Sequence, residues 1–230
     1  MQTKELNGNG KIVVARTEIY VPHLGEVLAF SLPMNGPNYF NGVMSAIDAD
    51  KGLRPTIAQT FSLVDLTLQN PEDEHCKNIL SKFRNNYFLT ATENLWGKDD
   101  VIVYDNVDGK MPSDRKSLIK RHKDGDKAVR IVPYGFQTET QSVDELLKNP
   151  YVIAQVGDKN MFEAVKRVVE GVSKDKPYVW ALGPQNSDVK RYTSLSSDWT
   201  GGRLVLDGLY VDDYNNGCAS RVRVVKPGEK

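Results

Sequence analysis

Ser194-Leu-Ser-Ser-Asp-Trp-Thr-Gly-Gly-Arg-Leu-Val-Leu-Asp-Gly208 is the stretch on which the reading of this chain turns. A run of strand-forming residues, Tyr192 to Ser196, breaks into a Ser/Asp/Gly-rich loop around Trp199 and resumes from Gly202 to Asp207. Asp207-Gly208 then supplies a turn and Leu209 to Val211 is extended. Asn215-Asn216-Gly217 turns once more before a last strand, Ala219 to Val225. Short strands closed by tight turns predict an antiparallel sheet. The loops between them carry Trp199, Arg203, Asp207, Asp212, Asp213, Asn215 and Asn216. Aromatic and polar side chains interleaved on loops, and held by a rigid sheet, suit a ligand-binding surface.

Immediately upstream the pattern changes. Tyr151 to Val156 reads as a strand, Gly157-Asp-Lys-Asn160 as a loop, and Met161, Phe162, Val165, Val168 and Val169 as one face of a helix stopped by Gly171. Tyr178 to Leu182, after Pro177, reads as the next strand. Such a strand–helix–strand unit predicts a crossover between parallel strands. It gives a rival reading, a small α/β enzyme or phosphate-ligand binder using the 157–160 loop, where free helix N–H groups would face the ligand. Neither Gly-x-x-x-x-Gly-Lys-Ser/Thr nor Gly-x-Gly-x-x-Gly occurs to strengthen it.

Further out, Lys11 to Val21 predicts a strand ended by Pro22, with Glu26 to Leu32 as its partner. A short helix is expected near 39–49. Thr56 and Gln59 form a capping box for a helix with Ile57, Phe61, Val64 and Leu68 on one face. Asn70-Pro71 opens another, carrying Cys76, Ile79, Leu80 and Phe83. Strands follow at 87–92, 100–105 and 128–136, and Ser142 and Glu145 make a second capping box. The sum is an α+β protein: a twisted, mainly antiparallel sheet packed on one side by flanking helices near 56–69, 73–84 and 160–170. One compact domain over 1–230 is expected, with possible subdomains at 1–112 and 128–230.

Composition narrows the function. Thirty Lys and Arg balance thirty Asp and Glu among 230 residues, which disfavours a nucleic-acid binder that works by counterion release. No apolar run approaches the ~18 residues that span a bilayer, and Met1 to Lys11 is polar. A soluble, cytoplasmic protein is predicted. The Asp114–Lys123 stretch, with five Lys or Arg, reads as a solvated helix face because no aromatics interleave it. Cys76 and Cys218 are too far apart for a Cys-x-x-Cys motif, though folding could bring them together. Glu72-Asp-Glu-His-Cys76 reads as a helix start rather than a metal site. The Asp-rich loops at 48–52, 124–126 and 212–217 read as turns. Counting twelve from Asp48 reaches Gln59, where a calcium-binding loop would need Glu. With no Gly-x-Ser-x-Gly elbow either, the expectation is a cofactor-free, non-enzymatic protein that binds an unknown ligand or protein partner.

Two segments carry a resemblance. Gly52-Leu-Arg-Pro-Thr-Ile57, opening a helix, is similar to the helix start of prokaryotic domains with the C-type-lectin-like fold. Ser194 to Gly208 followed by Ser220-Arg-Val-Arg-Val-Val225 resembles the closing strands of such domains. The resemblance implies that fold and a C-terminal binding surface. Sugar-binding members carry a calcium motif, a Pro flanked by two carbonyl side chains. Here Gly183-Pro184-Gln185 lacks the first, and no Trp-Asn-Asp triplet follows. The chain as a whole also resembles prokaryotic families of this length, from which no activity follows.

Overall fold

The computed structural model describes residues 3–14, 17–197, 202–209 and 215–229. Its strands form two sheets. The smaller joins β1 (Thr3–Glu5), β2 (Lys11–Val13), β3 (Glu18–His23), β4 (Glu26–Ser31) and β14 (Val222–Val224), in that order. The larger has nine strands. Its main path runs β5 (Asn35–Asn38), β13 (Gly217–Ala219), β6 (Tyr87–Trp96), β11 (Val189–Ser197), β12 (Leu204–Leu209), β10 (Tyr178–Val179), β9 (Glu139–Thr140). A branch from β6 adds β7 (Asp100–Asp105) and β8 (Val129–Pro133). Among the described residues only the β13–β6 and β10–β12 pairs are parallel. The mainly antiparallel character read from the sequence therefore holds.

The run Lys11–Val21 is a hairpin rather than one strand. The Thr17 N–H donates to the Val14 carbonyl at 3.3 Å, and Thr17 takes φ +50°, which turns the chain between β2 and β3. Pro22 does not end β3; it pairs with Val27. It is tolerated because pairing with β2 stops at Lys11 opposite Tyr20, so no ladder needs its missing N–H on that side.

Between the sheets lies α2 (Ile57–Leu68), with the expected Thr56/Gln59 capping box. The sequence predicts one apolar face, but ten of its twelve residues are buried, because sheet, helix and sheet enclose it. Phe61, Val64 and Leu66 join Ile19 and Phe30 of the small sheet and Phe88, Trp96 and Leu195 of the large one in a single core. The helices α3 (Glu74–Asn85), α5 (Val143–Lys148), α6 (Pro150–Val156) and α7 (Phe162–Val172) complete this layer. On the opposite face of the large sheet, α1 (Phe40–Ala49) covers Leu89, Tyr192 and Leu209, and α4 (Arg115–Lys123) covers Ile102 and Tyr104 through Leu118. Helices thus flank both faces of that sheet, where one face was expected.

Three local readings change. Tyr151–Val156 is helical: Asn149 caps it by accepting from Tyr151 N–H at 3.0 Å, Pro150 takes the first position, and Gly157 at φ +73° ends it. Local capping overrides the β-branched composition. Asn70 does not cap α3; Asp73 does, accepting from the N–H groups of His75 and Cys76. Asn70 instead binds Asn7, accepting from its N–H at 2.7 Å and donating to its carbonyl at 3.1 Å. Gly171 lies inside α7 rather than after it. A Cβ there would come within 2.9 Å of Leu68, so the residue serves the close approach of α7 to α2.

The two segments that carried the resemblance touch one another. Leu53 and Val222 form an antiparallel bridge, exchanging N–H···O bonds of 3.1 and 2.8 Å. The start of α2 is thereby tied to the closing strand. Cys76 and Cys218 are both buried and both free thiols.

Candidate ligand surface

Strand directions decide what meets at each edge of the large sheet. Gly217 pairs with Tyr87 and with Asn38, Leu195 with Phe88, Ser197 with Leu204, and Tyr178 with Val205. The end of β5, the starts of β13, β6, β12 and β10, and the end of β11 therefore share one rim. Four strand spacings separate β5 from β12, about 19 Å at ~4.8 Å each.

Four junctions furnish this rim. The first is Asn38-Tyr39, leading into α1, where Asn38 Oδ1 accepts from Tyr39 N–H at 2.8 Å and leaves the Tyr39 ring 45% exposed. Phe40, next in line, stacks on Tyr192 at 4.0 Å between centroids and fixes the entry of α1. The second is Asn85-Asn86-Tyr87. Its two amides donate back to the carbonyls of Ser81 and Lys82 at 2.7 and 3.0 Å, closing α3 before β6 begins. The third is Asn215-Asn216, whose second carbonyl accepts from Tyr87 N–H at 3.3 Å. The fourth is the return into β12. Lys174 N–H donates to Gly202 O at 2.6 Å and Leu204 N–H to Ser173 Oγ at 2.7 Å, clamping the base of that loop to the end of α7. There the Arg203 guanidinium lies 4.7 Å from the Tyr178 ring centroid, a cation–π contact.

Of the residues singled out in the sequence, the topology brings Arg203, Asn215 and Asn216 to this rim. Asp207 stands apart: it pairs with Ser194 within β12 and is half-buried, four residues from Arg203, about 13 Å along an extended strand. Trp199, Asp212 and Asp213 lie outside the described residues. Sequence reasoning missed Asn38, Tyr39, Asn85, Asn86 and Tyr87. The signal was there as a repeated Asn-Tyr-Phe, at 38–40 and again at 86–88, placed each time where one element ends and another begins.

The rim is furnished with amides, phenols and a guanidinium, groups that can hydrogen-bond a ligand. The loop at 157–160 offers no better chemistry. It joins helix α6 to a three-residue turn before α7, so the strand that would have presented a phosphate is absent, and Asp158 Oδ1 is engaged by Asn160 N–H at 2.8 Å. Among the described residues, no group of three His, Cys, Asp or Glu side chains is placed to hold a metal ion. Glu93, 2% exposed near the middle of the sheet, is a structural hub. It accepts from Tyr104 Oη at 2.6 Å, Asn106 Nδ2 at 3.0 Å and Lys190 Nζ at 2.6 Å. Burial, and then the Glu93 charge, push the Tyr104 hydroxyl far above the ordinary phenol range.

By sequence, no family model and no curated protein matches the chain. By structure, it is similar to a solved chain described as "Accommodation of massive sequence variation in Nanoarchaeota by the C-type lectin fold". That match has a TM-score of 0.55 and 12% identity, covering 83% of this chain and 95% of the other. The protein is thus an α+β protein of C-type lectin fold, as its two motif segments implied. At that identity the likeness speaks of the fold alone. Among the described residues no helix is long and apolar enough to cross a membrane.

Proposed function

We propose that this protein is a non-enzymatic binding protein that grips a macromolecular partner, a protein surface, with the rim of its large sheet. The observation that carries the reading is the convergence of Asn38, Tyr39, Asn85, Asn86, Tyr87, Arg203 and Asn215 from four junctions onto one rim. Tyr, Asn and Ser with an occasional Arg or Trp is the composition of antibody binding loops. Rigid phenols give contact area at little entropic cost, and amides adapt their hydrogen bonds. A patch about 19 Å on a side is roughly 360 Å², a little under half of the ~800 Å² each partner gives to a standard interface. The Nanoarchaeota chain supports the same division of labour, since its fold is described as accommodating massive sequence variation. A buried scaffold and interchangeable rim residues would do so here.

Photo-crosslinking tests the proposal. A benzophenone amino acid at position 39 or 215 is compared with one at Lys120 on α4, in cells that make the protein naturally. The expected result is a discrete adduct from 39 and 215, lost when Arg203 is replaced by Ser, and none from 120. Adducts from position 120 alone, or from none of the three, would overturn the reading.

A further inference from the structure

Away from the rim, a cleft of about 720 Å³ opens between the β3–β4 hairpin on one side and α2 and α7 on the other. Its floor is aliphatic: Val21, Leu66, Met161 and Ala164. Two donors are fixed on its opposite walls. On the hairpin, His23 Nδ1 lies 2.9 Å from Ser62 Oγ. Burial holds this imidazole below its ordinary pKa despite Glu26 and Asp158 nearby. The single Ser62 proton is also within reach of Met161 Sδ at 3.8 Å, but an imidazole nitrogen at 2.9 Å is the stronger acceptor than a thioether, so Nδ1 takes it and the ring proton sits on Nε2. On α7, Arg167 is locked by Asp65, with Nε and Nη2 donating at 2.8 and 2.7 Å, which leaves the Nη1 donors over.

The lining also says what does not fit. Among the described residues it contains no Phe, Tyr or Trp on which a sugar, a nucleobase or a flavin would stack. Its charged side chains are Arg167, Asp65 and Glu26. The first two neutralise each other, and the third disfavours an anion. What remains is an aliphatic trough with positioned N–H donors, inside the ~300–1,000 Å³ range of small-ligand sites.

The geometry points to a second binding site, for a short uncharged aliphatic peptide segment. Its carbonyls accept from His23 Nε2–H and Arg167, and its side chains lie on the Val21–Leu66–Met161–Ala164 floor. Ser62 acts as a positioning residue that sets the His23 tautomer. This site does not depend on the rim reading, and either can fail without the other.

The test is an NMR titration of the intact chain, following the Met161 methyl resonance with the capped tetrapeptide Ac-Ala-Leu-Val-Ala-NH₂. Maltose and butyrate serve as the sugar and anion probes. A saturable Met161 shift is expected with the peptide, at a dissociation constant of about 1 mM. It should weaken about 10-fold in His23→Phe, which keeps the ring and removes the donor. Val27→Arg, at the cleft's 38%-exposed rim, leaves the core alone and should also weaken binding. Three results overturn the proposal: no saturable Met161 shift in the wild-type chain, tighter binding of maltose or butyrate than of the peptide, or peptide binding that neither variant changes.

Discussion

Thr193 offers a sharp test of what holds the rim in place. The ladder between β6 and β11 slips at this residue, between Tyr192 and Ser194. The bulge is locked by a closed ring of side chains. Thr193 Oγ1 donates to Gln155 Oε1 at 2.8 Å, Gln155 Nε2 to Asn94 Oδ1 at 2.6 Å, and Asn94 Nδ2 back to Thr193 Oγ1 at 2.8 Å. All three are at most 1% exposed. Thr193→Val keeps the shape and deletes the hydroxyl, stranding one amide N–H and one amide oxygen in the core. At about 1–3 kcal/mol for each stranded group, the cost is about 2–6 kcal/mol. With a urea m-value of about 3 kcal/mol/M, the unfolding midpoint should fall by about 0.7–2 M while m is unchanged. Removing all three partners at once, in Thr193→Val/Asn94→Leu/Gln155→Met, strands only the buried Tyr151 hydroxyl, which also bonds Gln155, and should cost less than the three single changes summed. A Thr193→Val cost below about 1 kcal/mol, or a triple variant equal to that sum, would refute the ring as the lock.

The remaining expectations are quicker to check. With the crosslinker at position 215, combined Tyr39→Ser and Arg203→Ser should abolish the rim adduct while shifting unfolding free energy by no more than about 1 kcal/mol, measured by urea denaturation. Asp73→Ala should cost about 1–2 kcal/mol, because Asp73 caps α3 and pairs with Lys4. Burial raises the Asp73 carboxyl, but its bonds to Lys4 and to the α3 N–H groups outweigh this and leave it below the usual 3.8. A carboxyl lowered by folding stabilises above its unfolded value. The wild-type advantage over Asp73→Ala should thus be complete at neutral pH, and fade as pH falls below 3.8 through the lowered folded value. Burial, and then Asp73, push the Cys76 thiol up to about 12, and burial raises Cys218 as well. At pH 8 a thiol of that kind is only about 10⁻⁴ thiolate, so a disulfide reagent should label native protein far more slowly than protein in guanidinium.

Much of the architecture was legible because it rests on local rules. The Thr56/Gln59 and Ser142/Glu145 boxes mark helix starts through bonds within one turn, and the C-terminal strand runs survive as β11 and β12. The failures are also physical. Tyr151–Val156 has strand composition, but Asn149, Pro150 and Gly157 impose a helix, and a six-residue apolar run cannot settle that contest by period alone. Gly171 looked like a stop because a close helix approach and a helix end both call for glycine. The candidate rim was half legible. Arg203, Asn215 and Asn216 lie in one continuous stretch of sequence. Asn38, Tyr39 and Asn86 join them only through the β13–β5 and β13–β6 pairings, which span more than a hundred residues.

Those long-range pairings also bear on how one chain can be rigid and adaptable at once. β13 is only three residues long, yet it joins β5 to β6 and so sets the spacing between the Asn38-Tyr39 and Asn86-Tyr87 junctions. Its Cys218 and Ala219 are buried in two different clusters, on the two faces of the large sheet. Moving β13 would disturb both cores, so packing fixes the positions of the rim residues. The identities of the exposed ones, Tyr39 and Asn215, are left open, because a change in an exposed amide or phenol strands no buried group. Zero net charge fits the same division. A surface that selects its partner through phenols and amides gains little from long-range steering, and its discrimination falls to contact geometry, which the buried sheet supplies.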